Sequence, residues 1–160
     1  MQITRAGEYA IMGATCLARR GLGKAVMIHE VCKEEHIPRS FLAKIFQALT
    51  KAGIVRSQRG IRGGFTLARP SAEITVLEVL EAIEGKLAFD RRLQEPASCH
   101  DTHACTLCDL FTEAQHRVRE IMGSTTLADL TRPKAEVMKR IQGGNLHNGN
   151  GPRARALQTI

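Results

Sequence analysis

A mainly α fold with one small β-hairpin and a long helix toward its C-terminal side is what this 160-residue sequence predicts. Three observations carry that expectation. Apolar residues recur at three-and-four spacing over residues 4–20, 39–53 and 106–122, the period of one helical face. Between the second and third of these, IVRSQ at 54–58 and FTLAR at 65–69 alternate like two strands joined by RGIRGG. The basic excess is also confined to one side. Residues 1–69 hold twelve Lys or Arg against four Asp or Glu, whereas the remainder holds eleven against twelve, so the whole net charge of +7 belongs to the N-terminal part. A confined basic excess suits a polyanionic partner, because neutralising phosphates releases condensed counterions.

The elements follow in order. In TRAGEYAIMGATCLARR, Ala10, Ile11, Ala14, Leu17 and Ala18 share a face, and the Thr4 hydroxyl is placed to cap the helix start. After a turn at Gly21–Gly23, IHEVCKEE at 28–35 forms a short amphipathic helix that HIP breaks, and Pro38 suits the first turn of the next helix. In that helix, RSFLAKIFQALTKAG, Leu42, Ile45, Phe46 and Leu49 fall at i, i+3, i+4 and i+7, and Gly53 is a left-handed stop. The other face carries Arg39, Ser40, Ala43, Lys44 and Gln47. Two helices across a short turn, the second with small and basic outward groups, form a helix-turn-helix, and the hairpin after it makes this a winged helix. Glycines 60, 63 and 64 permit positive backbone angles and close backbone approach, and Arg59 and Arg62 carry charge to the hairpin tip. Such a wing is suited to phosphates or a minor groove.

TVLEVLEAIE at 75–84 opens on a capping box, Thr75 with Glu78, and ends at Gly85. The helix over 106–122 aligns Leu107, Phe111, Ala114, Val118, Ile121 and Met122 in a seam that packs either on the chain's own core or against a twin, and palindromic DNA sites favour the twin. TTLADL at 125–130 starts one more short helix, capped by Thr125 or Thr126. The expected division is a DNA-binding domain over 1–84, a cysteine loop over 85–105, a dimerisation helix region over 106–132 and a disordered tail over 133–160, whose last part is rich in Gly and Asn.

Three of the five cysteines, Cys99, Cys105 and Cys108, fall within ten positions. No secretory start and no apolar run near the roughly 20 residues of a membrane span occur, so the chain reads as cytoplasmic with no membrane partner. In a reducing compartment, clustered thiols in an odd total are metal ligands or catalytic groups rather than structural disulfides. The three lie where loop passes into helix, where the electropositive helix start lowers thiolate pKa values. Spacing alone leaves metal binding and redox chemistry both open. Cys16 and Cys32 sit in amphipathic helices and pack as small apolar groups.

The blocks MQITRAGEYAIMG, LTKAGIV, SQRGIRGGFTLARP, ITVLEVLEAIEG, the cysteine loop and TTLADL, in this order over roughly residues 1–132, resemble the Rrf2 family of winged-helix transcription regulators, RGxxGGFxLARP being the most diagnostic. The resemblance implies a dimeric protein on double-stranded promoter DNA, in many members controlled by an iron–sulfur cluster of the 2Fe-2S or 4Fe-4S type. It implies three loop cysteines plus a variable non-cysteine ligand. Against IscR-like members, Cys99 and Cys105 take the second and third cysteine places, Cys108 falls on the histidine place, and the first place lies near Leu93, which cannot ligate. The ligand set of no single member carries over whole, and the resemblance implies Cys99, Cys105 and Cys108 with a fourth ligand from elsewhere. The candidates are Glu8, which matches a carboxylate contributed by the partner subunit in NsrR-like members, and the loop histidines His100 and His103.

The function expected is a cluster-controlled repressor. The alternatives are the same regulator with a structural zinc in the loop, for which thiolate and imidazole are equally good ligands, and a thiol oxidoreductase using Cys105 and Cys108. The last lacks the alternating strand–helix pattern in which such pairs open a helix, and no Ser/His/Asp set or phosphate loop suggests an enzyme. DNA contact is expected from Arg39, Ser40, Phe41 and Lys44 of the recognition helix and from Arg59, Arg62, Gly63 and Gly64 of the wing.

Overall fold

The computed structural model describes residues 3–60, 63–88 and 106–142, with 106–108 described for the backbone alone. Helix α1 spans Arg5–Arg20, and Thr4 caps it as expected, its Oγ1 accepting the N–H groups of Ala6 at 3.2 Å and Gly7 at 3.4 Å. The face it buries carries Ala10, Ala14 and Leu17. Gly13 lets α1 approach its neighbour closely, since a Cβ there would lie 3.0 Å from Phe46 Cε1 and 3.1 Å from Leu42 Cδ1.

Helix α2 covers Ile28–Glu35 and stops at His36, whose φ of 54° is left-handed, before buried Ile37 turns the chain. Helix α3 runs Arg39–Lys51. Pro38 sits just before it rather than within its first turn, and its carbonyl accepts the N–H groups of Phe41 and Leu42. Leu42, Ile45, Phe46 and Leu49 are all buried, so the apolar stripe that defined the helix in sequence is the stripe that packs. Truncating one of them, as in Leu49→Ala, is expected to cost about 2–5 kcal/mol.

Strands β1, Val55–Gln58, and β2, Gly64–Leu67, pair antiparallel with Val55 opposite Leu67 and Gln58 opposite Gly64. Each is one residue shorter than expected: β1 leaves out Ile54, and β2 takes in Gly64 but leaves out Ala68 and Arg69, although the Ala68 N–H still donates to the Ile54 carbonyl at 3.0 Å. A further bridge, unforeseen, joins Val26 to Phe65 by bonds of 2.9 and 2.8 Å, stitching the α1–α2 connection to the hairpin. The Phe46 and Phe65 rings lie 4.9 Å apart between centroids and join wing to α3.

A 3-10 turn at Ser71–Glu73 leads into helix α4, Val76–Glu84. Its capping box is formed: Thr75 Oγ1 accepts the Glu78 N–H at 3.1 Å and Glu78 Oε2 accepts the Thr75 N–H at 3.0 Å. Helix α5 is Thr106–Ser124, and helix α6, Leu127–Leu130, is capped by Thr126 through its own box with Asp129. Backbone bonds from Val76 to Thr125 and from Leu127 to Ile74 return this end of the chain to the start of α4. Leu127 thereby enters the same core as α1, α3 and the hairpin.

Part of the expected tail is structured. Lys134–Gln142 form helix α7, which Pro133 starts by accepting from Glu136 and Val137, and which Arg140 pairs to the buried Asp129 carboxylate. Sequence patterning gives α7 no buried apolar stripe to show, because ion pairs hold it, Arg132 with Glu136 as well, and none of its side chains is buried. Residues 143–160 lie outside the described residues.

Candidate nucleic-acid interface

The outward face of α3 is polar and open. Arg39, Ser40 and Lys44 are exposed, as is Gln47, which lies three residues beyond Lys44 and extends the same stripe. The i+3 spacing that marks the buried face marks Gln47 equally well on the opposite one. Phe41 stands at the flank, 52% exposed, with Tyr9 of α1 edge-on to it at 6.3 Å and 79°. Such tilted pairs are attractive, so the exposed ring is held in place from behind.

In the wing, Arg59 is exposed just after β1, and Arg56, on β1, is exposed as well. Gly60 has φ 119° and accepts the Gly63 N–H at 2.8 Å. Gly63 and Gly64 have no positive φ; they are needed for close approach instead. A Cβ on Gly63 would lie 2.7 Å from the Gln58 carbonyl oxygen, and one on Gly64 would overlap the Val26 carbonyl. The two glycines shape the wing by packing it. Arg62 lies outside the described residues.

So do Cys99, Cys105, His100 and His103, while Cys108 falls in the first turn of α5 with only its backbone described. Glu8 is exposed in the first turn of α1, a position that also favours an ordinary carboxylate at the helix start. Cys16 and Cys32 are free and packed, Cys16 fully buried, as expected of small apolar groups. Burial pushes the Cys16 thiol up, with the Glu34 charge adding to it. Among the described residues, Cys16, Glu34 and Glu35 could gather around an ion, but Glu34 is paired to Arg20 at 2.6 Å and Glu35 to Arg19, so two guanidinium groups already neutralise that site. One protonated thiol and two paired carboxylates are a poor match to the soft thiolates an iron–sulfur cluster requires.

A family model described as an iron-dependent transcriptional regulator, Rrf2, matches residues 3–133. The chain belongs to the Rrf2 family. A Neisseria meningitidis relative provisionally named an HTH-type transcriptional regulator is 30% identical over 134 residues, covering 84% of this chain and 90% of that one. A Mycobacterium tuberculosis relative with the same provisional name is 32% identical over 130 residues and 81% of each chain. Among solved structures, T. potens IscR matches with a TM-score of 0.67 at 24% identity, over 82% of this chain and 86% of that one. CymR, the global cysteine regulator of B. subtilis, matches with 0.69 at 24% over 81% and 95%. The Rrf2 chain described here is thus a winged-helix, DNA-binding transcriptional regulator and not an enzyme. Among its described residues no helix is long and apolar enough to cross a membrane.

Proposed function

We propose that this Rrf2 protein is a cytoplasmic repressor that binds promoter DNA as a homodimer, inserting α3 in the major groove and laying the wing on the backbone. The observation that carries the reading is the two-sidedness of α3: four large apolar residues wholly buried, and Arg39, Ser40, Lys44 and Gln47 exposed opposite them. Lys44 and Arg59 contact phosphate, Ser40 and Gln47 face base edges, and Phe41 meets a thymine methyl. Helix α5 supports the dimer: across 19 residues none of its described side chains is buried, and Leu110 and Ile121 are 62% and 37% exposed. An apolar seam of that length is covered by a second copy.

Control is assigned to the cysteine segment. Cys99, Cys105 and Cys108 would hold an iron–sulfur cluster, with Glu8 of the partner subunit or one of His100 and His103 as fourth ligand. Three soft thiolates favour iron–sulfur or zinc, and the iron dependence in the family's description favours iron. Such a cluster, when bound, supplies sensitivity to iron supply, oxidants and nitric oxide. This chain's part is to convert its presence into a spacing of two α3 helices, to which binding at paired half-sites is sensitive. The test is DNA affinity of metal-loaded and metal-stripped protein at one fixed salt concentration. Equal affinities would remove the control; a colourless, zinc-containing preparation would replace iron with a structural metal.

A further inference from the structure

One carboxylate fastens the segment that leads from α4 toward the cysteines. Glu81 Oε1 accepts the backbone N–H of Leu87 at 3.1 Å and Nη1 of Arg119, on α5, at 2.6 Å. The same Arg119 nitrogen reaches the Leu87 carbonyl at 3.5 Å. Three elements therefore meet at one oxygen: α4, the chain just after it, and α5. The Glu81 and Arg119 side chains are only 26% and 28% exposed, so the pair is less screened than one on open surface. Glu84, one turn further on, reaches the opposite way, accepting from Thr4 N at 3.2 Å and from Thr4 Oγ1 at 2.6 Å, and Thr4 is the cap of α1. Helix α4 meanwhile buries Val79 and Leu80, and Val79 lies in the core that α1 and α3 share.

A guanidinium on a carboxylate fixes direction as well as distance. We infer that Glu81 is a positioning residue: its carboxylate sets the angle of α5 to the winged-helix unit, and so the separation of the two α3 helices in a dimer. The inference rests on the reading of α3 and α5 given above. It adds that the adjustment sits at the last turn of α4, where Glu81 holds both α5, through Arg119, and the chain after α4, through Leu87. A two-half-site operator accepts only a matching separation. Loosening the tie should widen the accepted spacings while leaving every DNA-contacting side chain in place.

The experiment selects an operator from a random duplex library with the full-length wild-type protein, then measures affinity at fixed salt for that operator and for versions with one base pair inserted or removed between half-sites. The wild type is expected to lose about tenfold or more on either change. Glu81→Ala and Arg119→Ala are expected to lose less than about threefold, with binding to non-specific DNA unaltered. Glu81→Gln keeps an acceptor for Leu87 without the charge; it guards against a variant that fails to fold and is expected to fall between. Variants that melt earlier but keep wild-type spacing discrimination would overturn the inference and leave Glu81 a structural tie. A wild type that selects a lone half-site overturns the dimer premise and this inference with it, and one that selects no sequence overturns the operator-binding reading beneath both.

Discussion

Arg69 leaves the wing to donate to Glu78 of α4, its Nη2 standing 3.1 Å from Oε1, while Nη1 reaches the Glu73 carbonyl at 3.3 Å. Glu78 is also the return arm of the α4 capping box. The second arginine of RGxxGGFxLARP, next to its closing proline, therefore anchors the wing to the start of the next helix. Because Glu78 is about a third exposed, the ion pair is discounted for solvent. Arg69→Ala is expected to lower stability by roughly 0.5–1 kcal/mol. Urea unfolding checks this, and an unchanged midpoint would dismiss the anchor.

The wing glycines should not be equivalent. A methyl on Gly64 meets the Val26 carbonyl, and since both are backbone, the Val26–Phe65 bridge must open. Gly64→Ala is expected to cost on the order of 1–3 kcal/mol. Gly60 has open space but φ 119°, so Gly60→Ala carries backbone strain on the order of 1–3 kcal/mol and no clash. Thermal melting that leaves Gly64→Ala as stable as the wild type would refute the packing argument.

Lys44 and Arg59 are exposed, so removing them leaves the fold alone. Each alanine variant is expected to weaken DNA binding, and each lost phosphate contact to reduce the slope of log affinity against log salt by about 0.9. A salt titration of both variants decides; two unchanged slopes with unchanged affinities would contradict the assignment of Lys44 and Arg59 to phosphate contact.

Cys16 gives a pH dependence with a definite sign. Burial first, then Glu34, holds its thiol above the ordinary thiol value, so the folded state keeps a proton that the unfolded state releases sooner. The stability it contributes is fully present below about pH 8.5, the ordinary thiol value, and is lost as pH rises toward the folded value. Between pH 7 and pH 10 the wild type should lose more stability than Cys16→Ala, measured by urea unfolding at each pH. Parallel curves would contradict a raised Cys16.

Serine in place of Cys99, Cys105 or Cys108 is expected to abolish iron and sulfide binding singly, while serine at Cys32 should leave it intact. Elemental analysis of anaerobic preparations distinguishes the two sets. Metal retained by all three loop variants would remove the proposed ligand set.

Much of this fold is legible in the residues because its helices obey one period. The stripe Leu42, Ile45, Phe46, Leu49 is both the signal and the packing, and Thr75 with Glu78 forms the cap its spacing implies. What escaped is non-local. The Val26–Phe65 bridge and the Glu81–Arg119 tie span 39 and 38 positions, beyond any window of local periodicity, and the nine-position reach of Arg69 to Glu78 joins a strand end to a helix, which share no common period. Helix α7 escaped for a different reason, since one buried Asp129 and its arginines replace the apolar face that sequence patterning seeks. Of the candidate site, the α3 face was readable from alternation of buried and exposed sides. A fourth ligand for the proposed cluster was not, because ligands to one metal converge in space from unrelated places in a chain.

The most direct measurement is the affinity of anaerobically prepared protein for its selected operator before and after iron is removed, at one salt concentration, with the visible spectrum recorded on the same sample. The expected result is a coloured protein containing iron and acid-labile sulfide whose operator affinity changes by about five- to 150-fold on iron removal. A colourless protein, or a coloured one that binds the operator equally in both states, would contradict cluster control.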